Sequence, residues 1–181
     1  MTKIELMMEE LAISRKISCP AVSERTVQSY ASKMNRILRS QEAGWHVVRD
    51  GNVLERVSDD GLSENQKKTF AEDLIDMLSE HGVWYGVDIY DGHRRYMHPD
   101  FKKPDGYIYQ TRNGSEYTMT AYGGCPCEYG NPDTLTLTFD CAGLYDLMNY
   151  GNGSELLDEV AKKYHMYNEQ GYAWSTAFYH V

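Results

Sequence analysis

Two clusters of residue types in this sequence could do chemistry. DGHRRYMHPDFKK, residues 91–103, gathers His93, His98, Asp91 and Asp100 with four cations. Histidine and aspartate can activate a water or hold a divalent ion, as a nuclease requires. The same composition also makes a polar hairpin carrying a basic patch, and the simpler reading is preferred. Cys125-Pro126-Cys127, with Cys141, offers soft ligands. Structural zinc takes four thiolate or imidazole ligands in a tetrahedron, from pairs commonly spaced C-x₂₋₄-C. A C-x-C pair with no second pair after it misses that spacing, and Pro126 among glycines reads as a loop. The expectation is therefore no catalytic residue, no metal and no cofactor, and a protein that is not an enzyme.

Two charged helices offer binding instead. In VSERTVQSYASKMNRILRS, residues 22–40, Val27, Tyr30, Ala31, Met34, Ile37 and Leu38 follow the period of one buried helix face. Arg25, Gln28, Ser29, Lys33, Arg36 and Arg39 fall on the other side. Lys and Arg meet phosphates, while Arg and Gln suit guanine and adenine edges. These six residues are the candidate nucleic-acid contacts, and the alternative is a solvated face of a helical bundle. In the second helix, Glu72, Asp76 and Glu80 recur every four residues, about 6 Å apart along the axis. That is near the phosphate spacing of a strand, so the stripe is a candidate surface for a basic partner. An ordinary solvated face is the plainer account.

Positioning these residues needs a defined set of elements. Residues 3–17 read as a helix on the stripe of Ile4, Met7, Met8, Leu11 and Ile17. Ser23 is a good N-cap for a helix over 24–39. Residues 44–57 read as a hairpin turning at Asp50-Gly51. SDDGLSEN, 58–65, is polar and turn-rich and marks a boundary. The domains are placed at 1–60 and 61–181. A helix follows over 64–80, with Phe70, Leu74, Met77 and Leu78 inward and Gly82 as its stop. VWYGVDIY, YIYQT, SEYTMTAY and TLTLTF read as antiparallel strands separated by Gly- and Asn-rich turns. Helices are expected over 142–149 and 154–167, and YAWSTAFYHV as a last strand. The fold class expected is α+β: a helical unit with a hairpin, then an antiparallel sheet packed with helices.

Composition narrows the class. The 181 residues are 41% apolar and carry a formal net charge of −9. Residues 1–58 hold nine Lys/Arg and seven Asp/Glu, whereas residues 59–181 hold nine and twenty. Such asymmetry suggests two surfaces with different partners. The start, MTKIELMMEE, lacks the positive n-region and apolar stretch of a secretory signal, and no apolar run approaches the ~18 residues of a membrane span. The expectation is a soluble cytoplasmic protein whose four cysteines are reduced thiols. The sequons at Asn113 and Asn152 read as Asn-Gly turns. The fifteen tyrosines crowd towards the C-terminus, a residue type favoured at binding surfaces.

The order helix, turn, cationic helix, hairpin resembles a winged helix-turn-helix, and SERTVQSYASKM is similar to the recognition helix of that family. The resemblance covers roughly the first third of the chain. It departs where the family has two helices before the recognition helix. A small, acidic, Tyr-rich chain with such a segment also resembles some phage anti-CRISPR proteins that inhibit Cas9 (type II-A). That second resemblance rests on overall make-up and transfers no residue. It implies a CRISPR effector nuclease, Cas9 or its guide complex, as partner inside a bacterial host cell. The function expected is a non-enzymatic inhibitor that meets the effector through its acidic surface and touches double-stranded DNA through the basic helix. The alternative is a winged-helix transcriptional regulator.

Overall fold

Apolar residues at helical spacing build the first core. The computed structural model describes residues 6–7, 9–11, 15–41, 44–100, 107–140 and 142–181. The chain is α+β and divides into two compact units, Met1–Asn65 and Gln66–Val181. In the first unit, Val27, Ala31, Met34 and Leu38 bury one face of helix α1 (Glu24–Gln41). Ser23 starts that helix: its carbonyl accepts from the Thr26 and Val27 amides at 2.9 and 3.0 Å. Its hydroxyl lies 3.4 Å from the Thr26 amide. The buried face packs with Met7, Leu11, Val47 and Leu54.

Strands β2 (Trp45–Asp50) and β3 (Val53–Ser58) form the hairpin. Gly51 turns it with φ +54°, a left-handed conformation that costs glycine little. Strand β1 (Lys16–Ser18) adds antiparallel to β3, giving the order β1-β3-β2. This corrects the helix expected over residues 3–17. Residues 6–7 and 9–11 are helical, but Lys16–Ser18 is extended. Ile17 pairs with Leu54 and packs on the same core as a strand residue, so pairing to β3 wins over helical period. Residues 19–23 then form turns and lead straight into α1, with no helix between. Residues 3–5, 8 and 12–14 of that expected helix lie outside the described residues.

The second unit takes nearly all of helix α2 (Glu64–Glu80), which buries Phe70, Ala71, Leu74, Ile75 and Leu78. Gly82, at φ +67°, closes it, and the Val83 amide reaches back to the Leu78 carbonyl at 2.8 Å. Seven strands follow: β4 (Val87–Tyr90), β5 (Arg94–Met97), β6 (Ile108–Gln110), β7 (Glu116–Ala121), β8 (Thr136–Phe139), β9 (Met166–Tyr172) and β10 (Ser175–His180). They form one antiparallel sheet in the order β6-β7-β5-β4-β8-β10-β9. Tyr117 reaches α2 from this sheet, and Phe178 packs its ring on Phe70 with centroids 4.8 Å apart.

Helices α3 (Ala142–Tyr150) and α4 (Gly153–Ala161) stand between β8 and β9. The helix expected over 154–167 is shorter than its sequence pattern. It tightens to a 3₁₀ turn at Lys162–Tyr164, and His165 reverses the chain at φ +57°. Met166 onwards pairs with β10. Tyr172 therefore belongs to β9, and the expected last strand is the second arm of a hairpin. No helix among the described residues is long and apolar enough to cross a membrane.

Candidate nucleic-acid interface

The buried stripe of α1 decides what its other side presents. At about 100° per residue, Val27, Ala31, Met34 and Leu38 occupy a narrow arc. Arg25, Gln28, Ser29, Lys33, Arg36 and Arg39 occupy the opposite one, and all six are exposed. From Arg25 to Arg39 the row runs about 21 Å at 1.5 Å per residue. The structure thus brings all six together on one solvent-facing surface.

Two contacts hold α1 on the hairpin. Strand β2 is an edge of its sheet, so alternate backbone groups point away from β3. Asn35 takes one such pair. Its Nδ2 donates to the Val47 carbonyl at 2.9 Å, and its Oδ1 accepts from the Val47 amide. The side-chain amide thereby acts as a one-residue strand partner. At the first turn of α1, Arg49 of β2 donates through Nη1 to Gln28 Oε1 at 3.3 Å. Its Nη2 lies 3.0 Å from Glu24 Oε1, and its Nε donates to the Gly51 carbonyl at 2.9 Å. The helix start and the hairpin tip are therefore coupled through one guanidinium. Sequence reasoning missed both Asn35 and Arg49, because neither residue type nor spacing shows which edge groups need a partner.

The far end of the row differs. Arg39, Gly44, His46 and Asp59 line an open hollow of about 440 Å³. His46 Nδ1 and Asp59 Oδ1 are 3.2 Å apart there. On the hairpin, the Arg56 guanidinium stacks over Trp45 at 4.3 Å from the ring centroid.

The other candidates are distributed through the second unit. Glu72, Asp76 and Glu80 share α2, but of the three only Glu80 is exposed, and the other two are half-buried. Glu72 Oε1 accepts from the Tyr117 hydroxyl at 2.8 Å and lies 3.8 Å from Lys68 Nζ. Asp76 accepts from the Thr111 hydroxyl. Burial and the Glu72 carboxylate push the Tyr117 phenol well above its ordinary range. Two of the three acids are thus engaged by hydroxyls of their own unit.

Asp91 is completely buried and organises a turn. Its Oδ1 accepts from the His93 and Arg94 amides at 2.9 and 2.6 Å, and its Oδ2 from the Tyr96 hydroxyl at 2.9 Å. Lys67, also fully buried, donates to the carbonyls of Asp91 and Pro132 at 3.1 and 2.7 Å and ties two loops together. His98 Nδ1 accepts from the Asp100 amide at 3.1 Å. Lys102 and Lys103 lie outside the described residues. Cys125 and Cys127 are half-buried free thiols, and burial raises Cys125. Cys141 lies outside the described residues. Among the described residues, no group of three His, Cys, Asp or Glu side chains is arranged to hold a metal.

Comparison of the chain with models of known protein families, with curated proteins and with solved structures found no match.

Proposed function

We propose that the chain is a DNA-binding protein whose first unit lays α1 in the major groove of a duplex. The observation that carries this reading is the row from Arg25 to Arg39, exposed on a helix that is fixed by core packing on its opposite face and by the Asn35–Val47 clamp on its flank. A row of about 21 Å spans the ~12 Å groove and reaches both backbones. Arg25, Gln28 and Ser29, in the first turns, meet base edges. Lys33, Arg36 and Arg39 meet phosphates, and the β2–β3 hairpin serves as the wing. The strand order β1-β3-β2 beside α1 supports a winged-helix-like arrangement, with a single helical stretch before α1 among the described residues. On this reading the protein is a regulator with an acidic second unit.

A second reading, a non-enzymatic inhibitor of a CRISPR effector, draws its support from charge. Residues 66–181 carry nine Lys/Arg against seventeen Asp/Glu. The engagement of Glu72 and Asp76 with Tyr117 and Thr111 makes the α2 stripe a weaker partner surface than its spacing suggests. Selection from a random duplex pool separates the two readings. A regulator enriches one sequence and loses it in Arg25→Ala or Gln28→Ala. An inhibitor enriches none, and the purified protein instead blocks DNA cleavage by Cas9.

A further inference from the structure

Five aromatic rings on and beside the β9–β10 hairpin form two contacting groups, Tyr129–Tyr172–Trp174 and Tyr167–Tyr179, joined by one hydrogen bond. Tyr172 stacks on Trp174 with centroids 5.1 Å apart and planes within 8°. Tyr129 meets Tyr172 edge-on at 4.9 Å. Tyr179, paired with Tyr167 at 6.0 Å, donates its hydroxyl to the Tyr129 carbonyl at 3.2 Å. Tyr129, Tyr167 and Trp174 are nevertheless 50%, 41% and 37% exposed. The rings are also held in place. The Tyr172 hydroxyl donates to Glu128 Oε1 at 2.7 Å, and Tyr129 sits so close over Gly171 that a Cβ there would come within 2.6 Å of its own. Rigid aromatic side chains lose little entropy on contact, so a preset surface of this kind suits binding.

Charge selects the partner. No Lys or Arg occurs between Arg112 and Lys162, a stretch with eight Asp/Glu, and residues 164–181 contain none either. Every segment that supplies a ring is therefore free of cations. Glu128 bonds to one ring, and Glu169 lies two residues beyond Tyr167 on the same strand and next to Tyr179. A nucleic-acid strand would be repelled by these carboxylates. A guanidinium would gain twice, by lying flat on an aromatic face and by pairing with a carboxylate at its edge.

We propose that this surface docks an arginine-bearing segment of a partner protein, with Trp174 and Tyr172 as the stacking platform and Glu128 and Glu169 as its acidic rim. The test uses the full chain and a short labelled peptide of alternating arginine and glycine, with an isosteric citrulline peptide as neutral control. Fluorescence anisotropy reads saturable binding. Trp174→Ala weakens it about tenfold, between the sizes of an exposed and a desolvated cation–π contact. Glu128→Gln with Glu169→Gln weakens it less and flattens its salt dependence. Circular dichroism confirms that each variant is folded, and Glu169→Gln, at an exposed site, keeps the test open should Trp174→Ala unfold. Equal binding of the citrulline peptide, or unchanged binding in a folded Trp174→Ala variant, overturns the proposal. So does Trp174-dependent self-association without peptide binding, which would make a second copy the occupant.

Discussion

Replacing Asn35 by alanine should destabilise the first unit more than any other single change on the polar side of α1. The side chain supplies both hydrogen-bond partners of Val47, a residue only 4% exposed on an edge strand. Alanine removes both and leaves an amide and a carbonyl without their protein partners. Each such loss costs about 1–3 kcal/mol when buried, and less where water can enter. The site is part-buried, so about 2–3 kcal/mol is expected for the pair. A unit the length of Met1–Asn65 has a typical total stability of about 3–10 kcal/mol, so the loss is a large share. Asn35→Asp keeps the acceptor but turns a carboxylate oxygen towards the Val47 carbonyl, and it should not rescue. Ser32→Ala is the control. Its exposed hydroxyl bonds only to the Gln28 carbonyl in the same helix, and it should change stability by less than about 0.5 kcal/mol. Urea unfolding of fluorotryptophan-labelled protein reads the effect, because Trp45 reports the hairpin directly. A shift in the Trp45 midpoint worth less than about 0.5 kcal/mol in Asn35→Ala would refute the clamp.

Two further outcomes follow from buried polar groups and from one glycine. Glu55 is 6% exposed and accepts from the Glu64 amide at 3.1 and 3.2 Å. Burial raises its pKa despite that bond. A raised carboxyl binds its proton more tightly when folded, so its contribution is fully present below the unfolded value and lost as pH rises through the folded one. Glu55→Gln should therefore remove a fall in stability over that acid window and be at least as stable as wild type at neutral pH, read from urea midpoints across pH. Gly92 has φ +87°, and a Cβ there would lie 2.6 Å from the Pro132 carbonyl oxygen that Lys67 also holds. Gly92→Ala should cost more than about 2 kcal/mol, from left-handed strain plus the clash, and calorimetry of the second unit checks it.

Much of this arrangement was legible because periodic burial is local information. The spacing of Phe70, Leu74 and Leu78, stopped at Gly82, marks α2 at the ends it has in the structure. Asp50-Gly51 marks the turn of the hairpin. The solvent face of α1 follows from its core face by exclusion, which is why the six candidate residues share one surface. Strands β1 and β9 were not legible in this way. Ile17 fits a helical stripe as well as a strand, and only the free edge of β3 decides it. Residues up to Tyr167 continue the pattern of α4, and only pairing with β10 ends it. Charge spacing places Glu72 and Asp76 on one face without revealing that Tyr117 and Thr111 meet them. Asn35 and Arg49 look like ordinary surface residues until the edge of β2 is in view.

The most direct test of the α1 reading is a duplex-DNA titration across salt, comparing wild type with Arg25→Ala/Lys33→Ala/Arg36→Ala. Three phosphate-facing cations, Lys33, Arg36 and Arg39, should give a log–log salt slope of about −2.7, falling to about −0.9 when only Arg39 remains. Because all three replaced side chains are exposed, urea midpoints should stay within about 0.5 kcal/mol of wild type. A slope and affinity unchanged in the folded triple variant, or no binding by wild type, would contradict the assignment and leave α1 a solvated helix.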